Sequence, residues 1–190
     1  MIENSKNFSF FKRPIWNPFP EKIITLDDAY QYMISDTAKE QTEELRSIQD
    51  RVQARKFKER NFDYCTFSGV FEKRCEEKLI QHSGLMCIDF DHVEDVEGLI
   101  EKLILENFIE TKILMRSPSG DGVKWIVGAD LEKCSHRDYF NCILNYVEHK
   151  YGIKADRSGC DIARPCFLCY DPNAYINPKY KRNGKSQLRC

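Results

Sequence analysis

The sequence predicts an α+β fold: a ferredoxin-like or RRM-like β-α-β-β-α-β core, an antiparallel sheet with both helices on one face, preceded by an N-terminal α/β extension. Three observations carry that expectation. Residues 85–91 (LMCIDFD) are an apolar run of strand length, and Leu99, Leu103 and Phe108 then recur along one face of a helical segment. Two further strand-like runs, TKILMRS and VKWIVGA, flank the turn PSGDG. Ser135 with Asp138 three residues later opens a second helix through about Lys150, and Gly152 suits its C-terminal cap.

Ahead of that core, residues 8–24 are rich in aromatics and proline and read as irregular or short extended structure. Thr25 with Asp28 opens a helix to about Ser35, and a longer helix is expected over 38–60. FDYCTFSGVF (62–71) reads as a strand that ends in a turn at Gly69, and a short helix over 72–82 leads to Gly84. After the core's second helix comes a loop containing DRSGCD, then RPCFLCY as the fourth strand. The expected division is an extension at 1–84, a core at 85–178 and a basic tail at 179–190, within one domain.

In this topology the sheet order is 4-1-3-2, so the first and third strands are antiparallel central neighbours. If Ile88 and Phe90 face the helices, Asp89 and Asp91 project from the open face. If Val123, Trp125 and Val127 face the helices, Lys124 joins the two acids. The start of the fourth strand, just after Asp161, is expected on the other side of the same end.

The totals fit a single domain: 190 residues, 42% hydrophobic and 12% aromatic, enough for a sizeable core. No run approaches the ~20 apolar residues of a membrane span. The opening lacks a cationic end followed by an apolar stretch, so a cytoplasmic protein with no membrane partner is expected. Of nine cysteines, Cys166 and Cys169 form the one close pair, with Cys160 upstream. Free thiols are the favoured reading over zinc, which would want a fourth ligand at comparable spacing. The net charge of −1 argues against a wholly basic nucleic-acid coat, but residues 46–60 carry six basic residues against two acids. Residues 179–189 carry five basic residues and no acid. Together they make a polyanion a plausible partner.

Two carboxylates at i and i+2 on one strand face suit Mg²⁺ or Mn²⁺. Without a cation, like charges so close should raise one pKa. A third acid, Asp161 or alternatively Asp156, would complete a two-metal site for phosphoryl transfer. The turn RSPSGDGVK offers backbone N–H groups and the hydroxyls of Ser117 and Ser119, with Gly120 and Gly122 keeping it tight. Lys124 is a point charge suited to a triphosphate. Its spacing is not that of a Walker loop, and such a turn is by itself commonly just a turn. Arg164 is either a salt bridge to a nearby acid or a second phosphate contact. His92 is a ligand, a general base or a satisfied loop residue; Asp171 and Asn177 look like turn formers.

IDFD, SPSGDGVK and CDIARPCF, in that order, resemble the motifs of archaeo-eukaryotic primases and primase-polymerases. FDYCTFSGVF, HSGLMCIDFDHV, SPSGDGVKWIV and ARPCFLCYDPNAYIN are more closely similar to the primase-type N-terminal domain of virulence-associated E-like proteins of Bacteroidetes and their mobile elements. The likeness extends to the opening FFKRPIWNP. It implies a metal-dependent nucleotidyltransferase that makes or extends primers on single-stranded or primed DNA. Asp89, Asp91 and Asp161 would hold Mg²⁺ or Mn²⁺. Ser117, Ser119, Gly120, Gly122 and Lys124 would hold the phosphates of a nucleoside triphosphate, assisted by Arg164. Arg51, Arg55 and Lys58 on the basic helix would follow the template backbone. A helicase ATPase, in the same protein or a separate one, is the implied partner. The departure is Lys124, which stands where many members have histidine and does not exchange protons at neutral pH. Two alternatives follow from the same residues: a non-catalytic nucleotide- or nucleic-acid-binding module, and a metal-dependent nuclease. Against the nuclease, Asp121 precedes Lys124 by three positions rather than two.

Overall fold

The computed structural model describes residues 6–182. Two short strands open it, β1 (Phe8–Phe11) and β2 (Lys22–Ile24), where irregular structure was one expectation. Helix α1 (Leu26–Ile34) begins in the predicted capping box. Thr25 Oγ1 accepts from the Asp28 N–H, and the Asp28 carboxylate accepts from the Thr25 N–H. The helix expected over 38–60 is two helices, α2 (Lys39–Ser47) and α3 (Arg51–Asn61), because the Asp50 side chain accepts from the Gln53 N–H and starts a new N-terminus. No residue of α3 is buried, so its basic face is free to look elsewhere.

The 62–71 stretch divides into β3 (Tyr64–Thr66) and β4 (Gly69–Phe71), which join different sheets. The helix expected over 72–82 is instead a single 3-10 turn followed by β5 (Leu79–His82), which closes a hairpin with β4. The core elements follow as predicted: β6 (Leu85–Phe90), α4 (Val96–Ile104), β7 (Thr111–Arg116), β8 (Val123–Gly128) and α5 (His136–Tyr151). Helix α4 stops at Ile104, which leaves Phe108 outside it and 84% exposed rather than on the apolar face. Helix α5 carries the predicted Ser135 cap, and Gly152 ends it with φ of 70°. Two short strands complete the chain, β9 (Cys166–Phe167) and β10 (Tyr175–Ile176).

The fold is α+β with antiparallel sheets, as expected, but the strand order is not 4-1-3-2. One sheet runs β2-β1-β3-β9 and the other β10-β7-β8-β6. The predicted fourth strand is β9, and it pairs with β3, where Cys65 lies opposite Cys166. The edge of β6 that it was expected to occupy carries the 155–161 loop instead, through the Asp156 N–H to Asp89 C=O hydrogen bond of 2.8 Å. Between Asp171 and Asn177, the two expected turn formers, Tyr175 and Ile176 supply β10 at the opposite edge. Asp171 is buried and accepts from the Arg116 N–H at 2.7 Å.

The core has two layers around the β10-β7-β8-β6 sheet. Met86, Ile88, Phe90, Trp125 and Val127 face α4 and α5, whose Leu99, Leu103, Phe140 and Val147 bury against them. The other face, expected open, is apolar at Leu85, Ile113, Met115 and Ile126. The N-terminal sheet and α1 cover it with Phe8, Phe10, Phe67 and Met33. At the end bearing Asp89 and Lys124 this face opens onto a cleft. Of the basic tail, Arg182 pairs with Asp28 on α1. Residues 183–190 of that tail, and residues 1–5, lie outside the described residues.

Candidate functional site

The site grows from one strand pair. On β6 and β8 Asp89 lies opposite Lys124 and Phe90 opposite Val123. Alternation commits Ile88, Phe90, Val123 and Trp125 to the helix side, so Asp89 and Lys124 share the other face. Lys124 Nζ donates directly to Asp89 Oδ2, and the two side chains are 9% and 19% exposed. Burial alone would push the Lys124 ammonium down, but Asp89 beside it, with Cys166 and Cys87, raises it, and it stays charged at neutral pH. Asp91 follows just beyond the strand. Burial, then the Asp89 charge, lift its carboxyl above the ordinary value, against Lys124 and Lys58.

These groups form the floor of a cleft of about 390 Å³. One wall is the β7–β8 turn. There the Ser117 N–H donates to the Gly122 carbonyl at 2.8 Å and the Gly120 N–H to the Ser117 carbonyl at 2.9 Å. Gly120 has φ of 86°, a conformation that side chains resist, and a Cβ on Gly122 would collide with the Phe90 carbonyl. The two glycines therefore shape the turn, while Ser117 and Ser119 line the cleft. Arg46, on α2, fixes the turn from behind: its Nε donates to the Pro118 carbonyl at 3.2 Å.

The opposite wall is α3, which presents Arg55, Lys58 and Glu59. Burial and the neighbouring Lys124 charge lower the Lys58 pKa. Arg55 is tied to Glu59 at 2.9 Å. Arg51 lines an adjoining hollow with Arg46, and that hollow shares Arg55, Lys58 and Ser119 with the cleft. His92, at φ 54°, faces the hollow too and pairs with Asp121, Nδ1 to Oδ2 at 2.6 Å. The mouth is completed by Arg164, Phe167 and Ile15.

Of the twelve residues given roles by the resemblance, eleven line the cleft or its hollow or build the turn between them: Asp89, Asp91, Ser117, Ser119, Gly120, Gly122, Lys124, Arg51, Arg55, Lys58 and Arg164. Arg164 sits among them and donates to Asp156 Oδ2 at 3.1 Å, the salt bridge that was one of its two readings. Asp161 does not join. It is exposed, its Oδ1 accepts from the Ala163 N–H at 2.9 Å, and it lines no part of the cleft. Asp156 is the nearer of the two loop acids: its backbone bonds Asp89, and its charge acts on Asp91. Arg46, Ile15 and Phe167 were missed. Arg46 at least stood in the basic run, whereas nothing in the sequence joins residues 15 and 167 to residue 89.

Two buried polar atoms in this site have no hydrogen-bond partner, Asp89 Oδ1 and Ser117 Oγ. Such atoms cost free energy unless a ligand, an ion or an ordered water meets them. Among the described residues no group of three His, Cys, Asp or Glu side chains is disposed to hold a metal. Asp89 and Asp91 are the carboxylates that would hold Mg²⁺ or Mn²⁺ here, hard cations that take oxygen ligands. Asp161, outside the cleft lining, adds no carboxylate to that donor set in this structure. Cys166 faces Cys87 across the two sheets at 3.8 Å, and Cys169 Sγ donates to the Arg116 carbonyl.

No helix among the described residues is long and apolar enough to cross a membrane. A family model described as BT4734-like, N-terminal domain, matches residues 56–176, which run from within α3 to β10 and include Lys58, Asp89, Asp91, the β7–β8 turn, Lys124 and Arg164, but not Arg55 or Ile15. No curated protein and no solved structure matches the chain.

Proposed function

The chain belongs to the BT4734-like, N-terminal domain family, and we propose that in this member the cleft is the nucleotide site of a metal-dependent primase-polymerase that makes or extends primers on a DNA template. One observation carries the reading: Asp89 and Ser117, each with a buried polar atom that lacks a hydrogen-bond partner, line a cleft with four cations, Arg55, Lys58, Lys124 and Arg164. Carboxylates, cations and a Ser/Gly turn in one place suit a polyphosphate with its counter-ion better than they suit an apolar ligand.

A bound Mg²⁺ or Mn²⁺ supplies charge neutralisation to the phosphate oxygens. Asp89 and Asp91 would hold it. Lys58, Arg55 and Arg164 supply positive charge around a triphosphate, and Ser117 Oγ–H is a donor without another acceptor. In the reaction a 3′-hydroxyl oxygen bonds to the α-phosphorus, the bond to the β,γ-diphosphate breaks, and pyrophosphate leaves while the hydroxyl proton passes to solvent. Lys124 holds its proton throughout, so its role is to fix Asp89 and contribute charge. A helicase ATPase, in the same protein or another, would present the template during replication of a mobile element or phage.

A second reading, a nucleotide-binding module without chemistry, is favoured by the Lys124 ion pair, which already occupies one oxygen of Asp89. Incubation with single-stranded template, labelled nucleotides and Mn²⁺ or Mg²⁺ separates the two. Template-dependent products from the wild type, absent from an Asp89→Ala/Asp91→Ala variant, support polymerisation. Metal-dependent nucleotide binding without products supports the second reading, and neither binding nor products removes both.

A further inference from the structure

Beside the mouth of the cleft, the loop at residues 12–19 displays two large aromatic side chains to solvent, Trp16 and Phe19, each 60% exposed. The loop is well fixed. Its Ile15 N–H donates to the Glu59 carbonyl at the end of α3 at 2.8 Å, and the Asn17 N–H to the Pro14 carbonyl at 2.8 Å. Arg74 grips it twice, through Nη2 to the Ile15 carbonyl at 2.9 Å and through its own N–H to the Pro18 carbonyl at 2.8 Å. Asn17 Nδ2 donates to the Lys12 carbonyl at 3.2 Å. Polar groups are satisfied inside the loop while its rings are left outside, the reverse of how a loop normally disposes its residues.

Position and charge say what the rings face. Ile15 lines the cleft, so the loop continues its wall. Arg13 and Arg60 are exposed at this end of α3, and Lys73 stands 5.8 Å over the Phe19 ring. Glu59 and Glu72 are engaged by Arg55 and Lys78, which leaves these cations less opposed. Rigid aromatic faces interleaved with cations suit unpaired bases and their phosphates, because every base offers a π-face and every linkage a negative charge.

We propose that the 12–19 loop is a stacking platform for single-stranded nucleic acid, with Trp16 and Phe19 holding unpaired bases of the strand that runs along α3 to the cleft. The platform extends the nucleotide-site reading by assigning the strand's path outside the cleft, and it rests on that reading only for the strand's direction. A duplex hides its base faces and binds less well. DNA and RNA strands share the required chemistry.

The sequence supplies a direct probe. It has two tryptophans, and Trp125 is fully buried with its Nε1 donating to Thr111 Oγ1, so Trp16 alone reports a ligand at the surface. Oligothymidylate and oligouridylate are titrated against the full chain while intrinsic fluorescence is read, and binding is followed separately by anisotropy of a labelled strand. The expected result is saturable quenching of Trp16, together with affinity about tenfold weaker for each ring removed in Trp16→Ala and Phe19→Ala. Trp16→Phe retains most of the affinity. Comparison of the two oligomers identifies the favoured strand. Both substituted positions are exposed, and a melting curve verifies folding. No strand binding, or wild-type affinity in the Trp16→Ala/Phe19→Ala double variant, overturns the platform. Metal-dependent nucleotide binding, measured on the same samples, decides the cleft reading independently: it survives in the double variant if only the platform is wrong.

Discussion

Asp89 and Lys124, 35 positions apart in sequence, are direct register partners on antiparallel strands and form a buried ion pair at the floor of the cleft. The pairing leaves Asp89 with one oxygen neutralised and one free. Removing the lysine side of such a pair leaves a carboxylate without compensation, which costs about 3–5 kcal/mol. Lys124→Met is therefore expected to unfold at markedly lower denaturant concentration than the wild type. A divalent cation can replace the lost charge, so Mg²⁺ should raise the melting temperature of the variant more than that of the wild type. An equal response in both proteins would show that the cation does not sit on Asp89.

Asp91 gives the site a pH signature. Its folded pKa is raised, by burial first and Asp89 second, so the native state holds this proton more tightly than the unfolded chain. Between the two pKa values stability falls as pH rises, and above both the penalty is fully present. Asp91→Asn removes it. The variant should be more stable than the wild type at neutral pH, with the difference fading as pH falls through the ordinary carboxylate range. The same substitution should weaken Mg²⁺ or Mn²⁺ binding by about tenfold or more, since ligand charge sets affinity. Melting curves against pH and a cation titration check the two halves.

The β6–β8 relationship was legible because period-2 alternation is local: Ile88 and Phe90 fix where Asp89 points, and Val123 and Trp125 fix Lys124. The α3 wall was legible as charge but not as a wall, since the break at Asp50 that turns the helix depends on a single capping bond. The fourth strand was misplaced because RPCFLCY is apolar enough for either sheet. What decides is the covering of Leu85, Ile113 and Ile126 by the N-terminal sheet, a long-range demand. Asp161 and Asp156 lie in one loop, and only the backbone bond from Asp156 to Asp89 picks the nearer.

A second titrating pair lies away from the cleft. The Gly84 N–H donates to His82 Nδ1 at 2.9 Å, which places the His82 proton on Nε2, facing His136 Nδ1 at 3.0 Å. His136 then carries its proton on a buried Nε2 without a partner. Burial pushes both rings down to about 4, helped by Lys6 at His82 and by His82 and Arg137 at His136, with Asp161 opposing. The ordinary value is 6.5, so in between the unfolded chain binds more protons than the native state. Stability is expected to decline as pH falls from about 6.5 towards about 4. His136→Asn should flatten this decline, and an unchanged acid limb would place its origin in other groups.

Gly122 is the residue on which the turn and the strand end both depend. Any Cβ there meets the Phe90 carbonyl, a backbone atom that cannot swing aside, and then Ser117 Oγ at 3.2 Å and the Asp91 Cα at 3.4 Å. Gly122→Ala must lift the turn off β6, which strains the Ser117 N–H to Gly122 C=O bond and moves Asp91. The expected cost is roughly 1–3 kcal/mol of stability, with nucleotide affinity reduced more than the stability loss alone would produce. Gly152→Ala is the control. That glycine has φ of 70° with open space around it, so alanine costs roughly 1–2 kcal/mol by backbone strain alone, far from the cleft. Matched stability losses with nucleotide binding lost only in Gly122→Ala would tie binding to the geometry of the turn. Equal binding in the two variants would show that the turn does not hold the phosphates.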